Sequence, residues 1–114
     1  MASVKDFVLV GDFPVSKTTI YTVPTGETLQ LSKININNTA ATAATGIYVY
    51  LATTDDDGGA LTEIEVVSND GLLSEGRTSL TLGGHFLKSG GTIAIVSATA
   101  DVTYIISGLR KIAT

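Results

Sequence analysis

Apolar and polar residues alternate along most of this chain, in runs rich in Ile, Val, Thr and Tyr that end at Gly, Asn or Asp. A period of two interrupted by such turn-forming residues is typical of β-strands joined by turns, and it leaves almost no segment for a helix. The clearest run places Ile47, Val49 and Leu51 on one face and Tyr48 and Tyr50 on the other. We expect the aliphatic face to form core. The tyrosine face then meets solvent or a neighbouring subunit, because a tyrosine ring is apolar and its tip is polar.

About eight strands are predicted, with turns at the spacing of sandwich domains and without the helical crossovers that a parallel sheet needs. The fold class is therefore an all-β antiparallel β-sandwich. The predicted strands are residues 7–10, 18–23, 27–37, 47–53, 61–67, 77–82, 92–98 and 101–112, with a short piece at 85–88.

Three local features refine this prediction. Residues 24–26, Pro-Thr-Gly, predict a turn that makes residues 18–23 and 27–37 a hairpin. Apolar positions are odd-numbered up to Leu31 and even-numbered from Ile34, which predicts a β-bulge between them. Gly108 is expected to bend the last strand.

Composition points to subunit contacts. Charged residues make up 16% of the 114 residues and apolar ones 44%, whereas an average domain has about 25% charged residues. A chain with so few charges is expected to hide part of its apolar surface against other molecules, so we predict a homo-oligomer. Its length suits a single domain.

The same numbers exclude several classes. The net charge is −4 and the seven Lys and Arg residues are mostly scattered, which disfavours nucleic acid as a partner. Residues 34–54 carry no charge but contain three asparagines and five threonines, so a membrane helix is not expected. No cysteine is present for a disulfide or a thiolate metal site, and the first residues lack the pattern of a secretory signal.

Candidate chemistry is sparse, and we predict no catalytic, cofactor-binding or metal-binding residue and no cofactor. His85 is the one histidine, and no nucleophile motif accompanies it. The run of residues 55–57, Asp-Asp-Asp, lacks the alternate ligand spacing of an EF-hand, so a solvated hairpin tip is favoured and Ca²⁺ binding stays open. Glu63, Glu65 and Asp101 have no evident reason to pair for glycoside hydrolysis. Exposed Thr, Asn and Tyr on a sheet keep carbohydrate binding as an alternative.

The chain also resembles a known group of proteins, the small structural proteins of tailed bacteriophages. Their hairpin and strand pattern is matched by Ile20-Tyr21-Thr22-Val23-Pro24-Thr25-Gly26 and by Ile34-Asn35-Ile36-Asn37-Asn38-Thr39. Their C-terminal pattern of loop, Gly-Asp-Thr-Ile and final strands is matched by residues 87–93 and 97–108, with Gly90-Gly91 in place of Gly-Asp. Residues 55–76 have no counterpart.

The resemblance implies a jelly-roll-like sandwich, commonly a trimer, that sits on the virion as a capsid decoration (cement) protein or in a fibre or tail. The major capsid protein is then the expected partner, and the alternative role is the receptor- or carbohydrate-binding head of a fibre. Residues 1–14 form an N-terminal arm or an edge strand, followed by the sandwich domain 15–114. We hypothesise that Val4 to Phe13 pairs with a sheet edge of the capsid or of a neighbouring subunit. The predicted capsid or subunit contacts are Phe7, Val8, Leu9, Val10, Phe13, Tyr48 and Tyr50.

Overall fold

The computed structural model describes residues 3–39, 46–54, 60–69, 76–82, 85–99 and 101–112. Within them every regular element is a strand, which confirms the all-β prediction. The strands are β1 (Ser3–Asp12), β2 (Thr18–Thr22), β3 (Glu27–Asn38), β4 (Ile47–Thr53), β5 (Thr62–Asn69), β6 (Arg77–Thr81), β7 (Phe86–Leu87), β8 (Thr92–Val96) and β9 (Val102–Ile112).

The strands make two antiparallel sheets that pack as a sandwich. The front sheet has the order β1-β9-β3-β6, with β7 also paired to β3, and the back sheet has the order β2-β8-β4-β5. First strands pair with last ones and middle strands pair with each other, as when one long hairpin is rolled up. That arrangement is a jelly roll, the double-sheet fold of two Greek keys.

The predicted hairpin of residues 18–23 and 27–37 is wrong. Strand β2 pairs with β8 in the back sheet, whereas β3 pairs with β9 in the front sheet. The turn itself forms as expected: Gly26 has a φ of 85°, and the Glu27 amide donates to the Pro24 carbonyl at 3.1 Å. It serves as a corner between sheets, because Val23 is held to the distant turn at Gly90 and Gly91 by two backbone hydrogen bonds of 2.8 Å each.

The predicted bulge is confirmed. In the ladder between β3 and β9 the register shifts between Leu31 and Lys33, so that Leu31 pairs with Gly108 and Lys33 pairs with Ser107. The extra residue lets the leucines before it and the isoleucines after it all face the core. Gly108 lies opposite this irregularity, where a Cβ atom would fall 2.2 Å from the Gln30 carbonyl oxygen.

One apolar core fills the space between the sheets. Two edge-to-face aromatic pairs tie β1 and the segment after it to the rest: Phe7 with Tyr21 at 4.9 Å between centroids, and Phe13 with Tyr104 at 5.5 Å. The core cluster is Phe7, Phe13, Val23, Leu29, Leu31, Ile34, Ile36, Ile47, Val49, Leu51, Val67, Leu82, Leu87, Ile93, Ile95, Val102, Tyr104 and Ile106.

The N-terminal segment takes the form of an edge strand. Strand β1 pairs with β9 at ten consecutive positions, from Ser3 opposite Ile112 to Asp12 opposite Thr103. Phe13 continues the attachment, since its amide donates to the Val102 carbonyl at 2.8 Å. Residues 3–13 are thus part of the sandwich in this fold, and their pairing with another molecule stays a prediction.

We expect Gly108→Ala to lower the free energy of unfolding by about 2 kcal/mol or more. The added methyl group overlaps the Gln30 carbonyl, so β3 or β9 must move and the core must repack. Urea unfolding checks this, with Ser107→Ala as the control in the neighbouring pair of the same ladder. Equal midpoints for the two variants would contradict the close approach.

We also expect alkaline pH to destabilise the fold through Tyr104. Burial raises the pKa of its phenol above the ordinary 10.0, and the Asp12 carboxylate raises it further. The folded state therefore favours the neutral phenol, and this contribution is complete below the ordinary pKa and is lost as the pH rises through the folded-state pKa. Urea unfolding at a series of pH values from about 9 upward should show a steeper loss for the wild type than for Tyr104→Phe. Parallel curves would refute this.

Candidate functional site: two dissimilar outer faces

The register of the front sheet decides which side chains it presents outward. In β1 the even-numbered residues point away from the core, and in β9 the odd-numbered ones do. We call the outward side of this sheet the front face. Its members are Val4, Asp6, Val8, Val10 and Asp12 of β1, Thr103, Ile105, Ser107, Leu109 and Lys111 of β9, Thr28, Gln30, Lys33, Asn35 and Asn37 of β3, Arg77, Ser79 and Thr81 of β6, and Phe86 of β7.

The front face is apolar for a surface. Nine large hydrophobic side chains are exposed among the described residues, and six of them lie here, so the excess apolar surface is concentrated and not scattered. Val10 is 65% exposed and Val8 62%. The six are Val4, Val8, Val10, Phe86, Ile105 and Leu109. A contiguous apolar patch on a sheet marks an interaction surface.

Two depressions lie on this same face. The larger, of about 470 Å³, is lined by Asn35, Asn37, Arg77, Ser79, Thr103 and Ile105, together with Ile36. The smaller, of about 150 Å³, is lined by Val4, Thr28, Gln30, Phe86, Leu109 and Lys111. Both have the form of shallow hollows between side chains of neighbouring strands, suited to receiving a side chain or a small group from another molecule.

Charge is divided across the front face. The two carboxylates, Asp6 and Asp12, both lie on the edge strand β1. The cations Lys33 and Arg77 lie on β3 and β6, on the other side of the sheet, and a third cation, Lys111, lies at the end of β9 beside Val4. A partner with the reverse arrangement would be complementary.

The outward side of the back sheet is different, and we call it the back face. Tyr48 and Tyr50 lie side by side on the central strand β4, with their rings stacked at 6.2 Å and 29°. The Lys17 ammonium sits 4.1 Å from the centroid of the Tyr50 ring and pairs with Glu63. Opposite Tyr50 on β8 is the small residue Ala94. The result is a flat tyrosine platform with a lysine–glutamate ion pair at its margin.

The residues predicted as contacts separate into four groups. Phe7 and Phe13 are 5% and 4% exposed and contribute to this chain's own core. Leu9 is half-buried and packs against that core. Val8 and Val10 lie on the front face, and the half-buried Tyr48 and Tyr50 form the platform. Period-two alternation within β1 separates the buried members from the exposed ones.

The sequence did not single out the rest of the front face. Ile105 and Leu109 join the valines of β1 only through the pairing of β9 with β1, strands about 100 residues apart, and Phe86 joins through the pairing of β7 with β3. Parity within the final strand gives the outward direction of Ile105 and Leu109, but only the strand pairing shows that they share a face with the valines.

The candidate chemical residues take ordinary surface positions. His85 is exposed, and its carbonyl accepts a hydrogen bond from the Leu31 amide at 3.0 Å. Glu63 and Glu65 are exposed on β5, and Asp101 occupies a turn with a φ of 65°. The Asp55–Asp57 loop lies outside the described residues. Over the described part of the chain, no three His, Cys, Asp or Glu side chains are grouped so as to hold a metal, and no helix could cross a membrane.

No protein-family model and no curated protein matches this chain. Solved structures do. A chain from the infectious bursal disease virus particle has a TM-score of 0.54 at 9% identity, covering 98% of this chain and 31% of that one. A chain from the VP2 subviral particle of the same virus gives 0.52 at 9% identity, with 98% and 33% covered. A Bacillus endospore appendage (pilus) structure gives 0.49 at 11% identity, with 99% and 89% covered.

At these identities the two viral structures establish a common fold. This chain spans about a third of each viral chain and therefore corresponds to one part of those proteins. The sandwich seen in this chain is thus an architecture that also occurs in chains of a virus particle.

Proposed function

We propose that this chain is a non-enzymatic structural protein of a bacteriophage virion, a capsid decoration (cement) protein that binds the head shell as a homo-oligomer. The observation that carries the proposal is the pair of dissimilar outer faces. A subunit that must hold both its own copies and a shell needs two separate contact surfaces, and a rigid sandwich can present one on each sheet.

The fold supports this role without deciding it. Jelly rolls occur in capsid proteins and lectins, and the two viral chains share this sandwich. The tailed-phage part of the proposal rests on the sequence resemblance at residues 18–39 and 87–108. That resemblance also implies a trimer and the major capsid protein as partner, at the outside of the capsid.

We assign shell attachment to the tyrosine platform of the back face. Tyrosine is enriched at interfaces because it buries a large rigid ring at low entropic cost and keeps its hydroxyl for hydrogen bonds. Tyr48 and Tyr50 are already stacked on a central strand, so little order is lost when a partner covers them.

A second function is favoured by the same platform. Flat aromatic rings are also suited to stacking against a sugar, so a receptor- or carbohydrate-binding head of a fibre or tail is the alternative. The two functions differ in the partner, which a binding experiment identifies directly.

We expect Tyr48→Ser/Tyr50→Ser to reduce attachment to shells at least ten-fold. Central interface aromatics commonly contribute more than about 1.4 kcal/mol each, a factor of ten in affinity. The measurement is cosedimentation of the purified chain with heads of the phage that encodes it, prepared without the protein. Thr25→Ala, at an exposed position of the turn between β2 and β3, is the control and should attach as the wild type does.

Attachment of the double variant at wild-type occupancy would refute the assignment of the platform. A wild-type chain that ignores shells but is retained on a glycan array would replace the decoration function with the carbohydrate-binding one. Thermal melts of each variant establish that the sandwich is intact, which we expect because both tyrosines point away from the core.

A further inference from the structure

We infer that the front face packs against the front face of a second copy, about a two-fold axis that runs parallel to the strands between β9 and β3. The inference rests on the proposed function in that a decoration protein assembles as a homo-oligomer. It names the surface and the symmetry, and it replaces the trimer implied by the sequence resemblance with a two-fold dimer. The lateral alignment of side chains across four strands carries it.

The front face is organised in rows that the strand register fixes. Five rows cross β1, β9 and β3, of which three continue onto β6 and one onto Phe86 of β7, and the charged residues of the end row lie at its two extremes. The end row is Asp12, Thr103, Asn37 and Arg77, and the next row is Val10, Ile105, Asn35 and Ser79.

A two-fold axis along the strands reverses the order of strands and keeps each row opposite itself. Strand β1 then faces β6 of the second copy, and β9 faces β3. In the end row Asp12 comes opposite the partner's Arg77, and symmetry repeats the pair. Packed sheets lie roughly 10 Å apart, a distance that an aspartate and an arginine side chain span together. The guanidinium and carboxylate form charge-assisted hydrogen bonds there.

The apolar residues fit the same arrangement. Val10, the most exposed residue of β1 at 65%, comes opposite the partner's Ser79, at the hollow of about 470 Å³. Leu109 comes opposite the partner's Gln30, which lines the smaller hollow. Ile105 lies next to the axis, so it meets the partner's Ile105. Both depressions therefore receive an apolar side chain.

The size of the face is adequate for a stable pair. The long strands β1, β9 and β3 extend roughly 34 Å over a width of roughly 14 Å, and the shorter β6 and β7 add part of a fourth strand along one edge. That area is about 600 Å² before surface relief is counted, at the lower end of the range of a standard interface, ~800 ± 200 Å² per partner. The back face is a poorer surface for self-association, because its platform is flanked by the paired charges Lys17 and Glu63.

The test is a charge exchange between the two ends of the row. Asp12→Arg and Arg77→Asp each place like charges opposite each other, so each variant alone should dimerise at least ten-fold more weakly than the wild type. Mixed in equal amounts, the two variants should form a heterodimer, because every contact then joins opposite charges. The double variant should form a homodimer again. Glu65→Arg, a comparable change of charge on the exposed edge of the back sheet, should dimerise normally.

Native mass spectrometry gives the answer against the 11.8 kDa mass of one chain. Wild-type dimers, monomeric single variants and a restored mixture are the expected result. A wild-type monomer, a wild-type trimer, or a mixture that stays monomeric would overturn the two-fold pairing. The mixture also distinguishes a dimer from a trimer, because in a ring of three at least one contact joins two copies of the same variant. Shell attachment is measured separately: dimers that ignore shells refute the decoration function alone, and monomers that attach to shells refute this inference alone.

Discussion

The pairing of β3 with β9 is the interaction on which the rest of the structure depends. These strands run antiparallel over eleven aligned pairs in the middle of the front sheet, with one shift between Leu31 and Lys33. The bulge at that shift changes which parity faces inward along β3. Without it, the leucines of one half or the isoleucines of the other would point to the outside. Gly108 permits the close approach that the bulge requires.

This one ladder also determines the surface. Strand β9 carries β1 on its other edge, so the phase of β9 fixes which residues of β1 are buried and which join the front face. The result is a sheet whose outer side holds six of the nine large hydrophobic side chains exposed among the described residues, in keeping with a chain of only 16% charged residues. Burying that side against another molecule removes apolar area from water without opening the core.

Local signals in the sequence predicted what local physics controls. The strand Ile47–Thr53 with its buried and outward faces, the bulge before Ile34 and the positive φ of Gly26 were all predictable from spacing and turn chemistry. The hairpin was mispredicted because a Pro-Thr-Gly turn suits a hairpin and a corner equally well. Which one forms depends on the hydrogen bonds between Val23 and the glycines near residue 90, a contact between segments far apart in the chain.

The candidate surface was only half predictable for the same reason. Val8, Val10, Tyr48 and Tyr50 belong to runs whose alternation is visible in the chain, whereas Ile105 joins them only through the β1–β9 pairing, which no short-range pattern specifies.

Native-state hydrogen exchange along β1 tests the central claim most directly. If β1 belongs to the front sheet, about every second amide between Ser3 and Asp12 faces β9 and should exchange as slowly as the amides of β9, while those on the open edge exchange quickly. Uniformly fast exchange over residues 3–12 would mean a free arm. The front face would then lack its valines and its carboxylates, which contradicts a continuous four-strand surface built on the β3–β9 ladder.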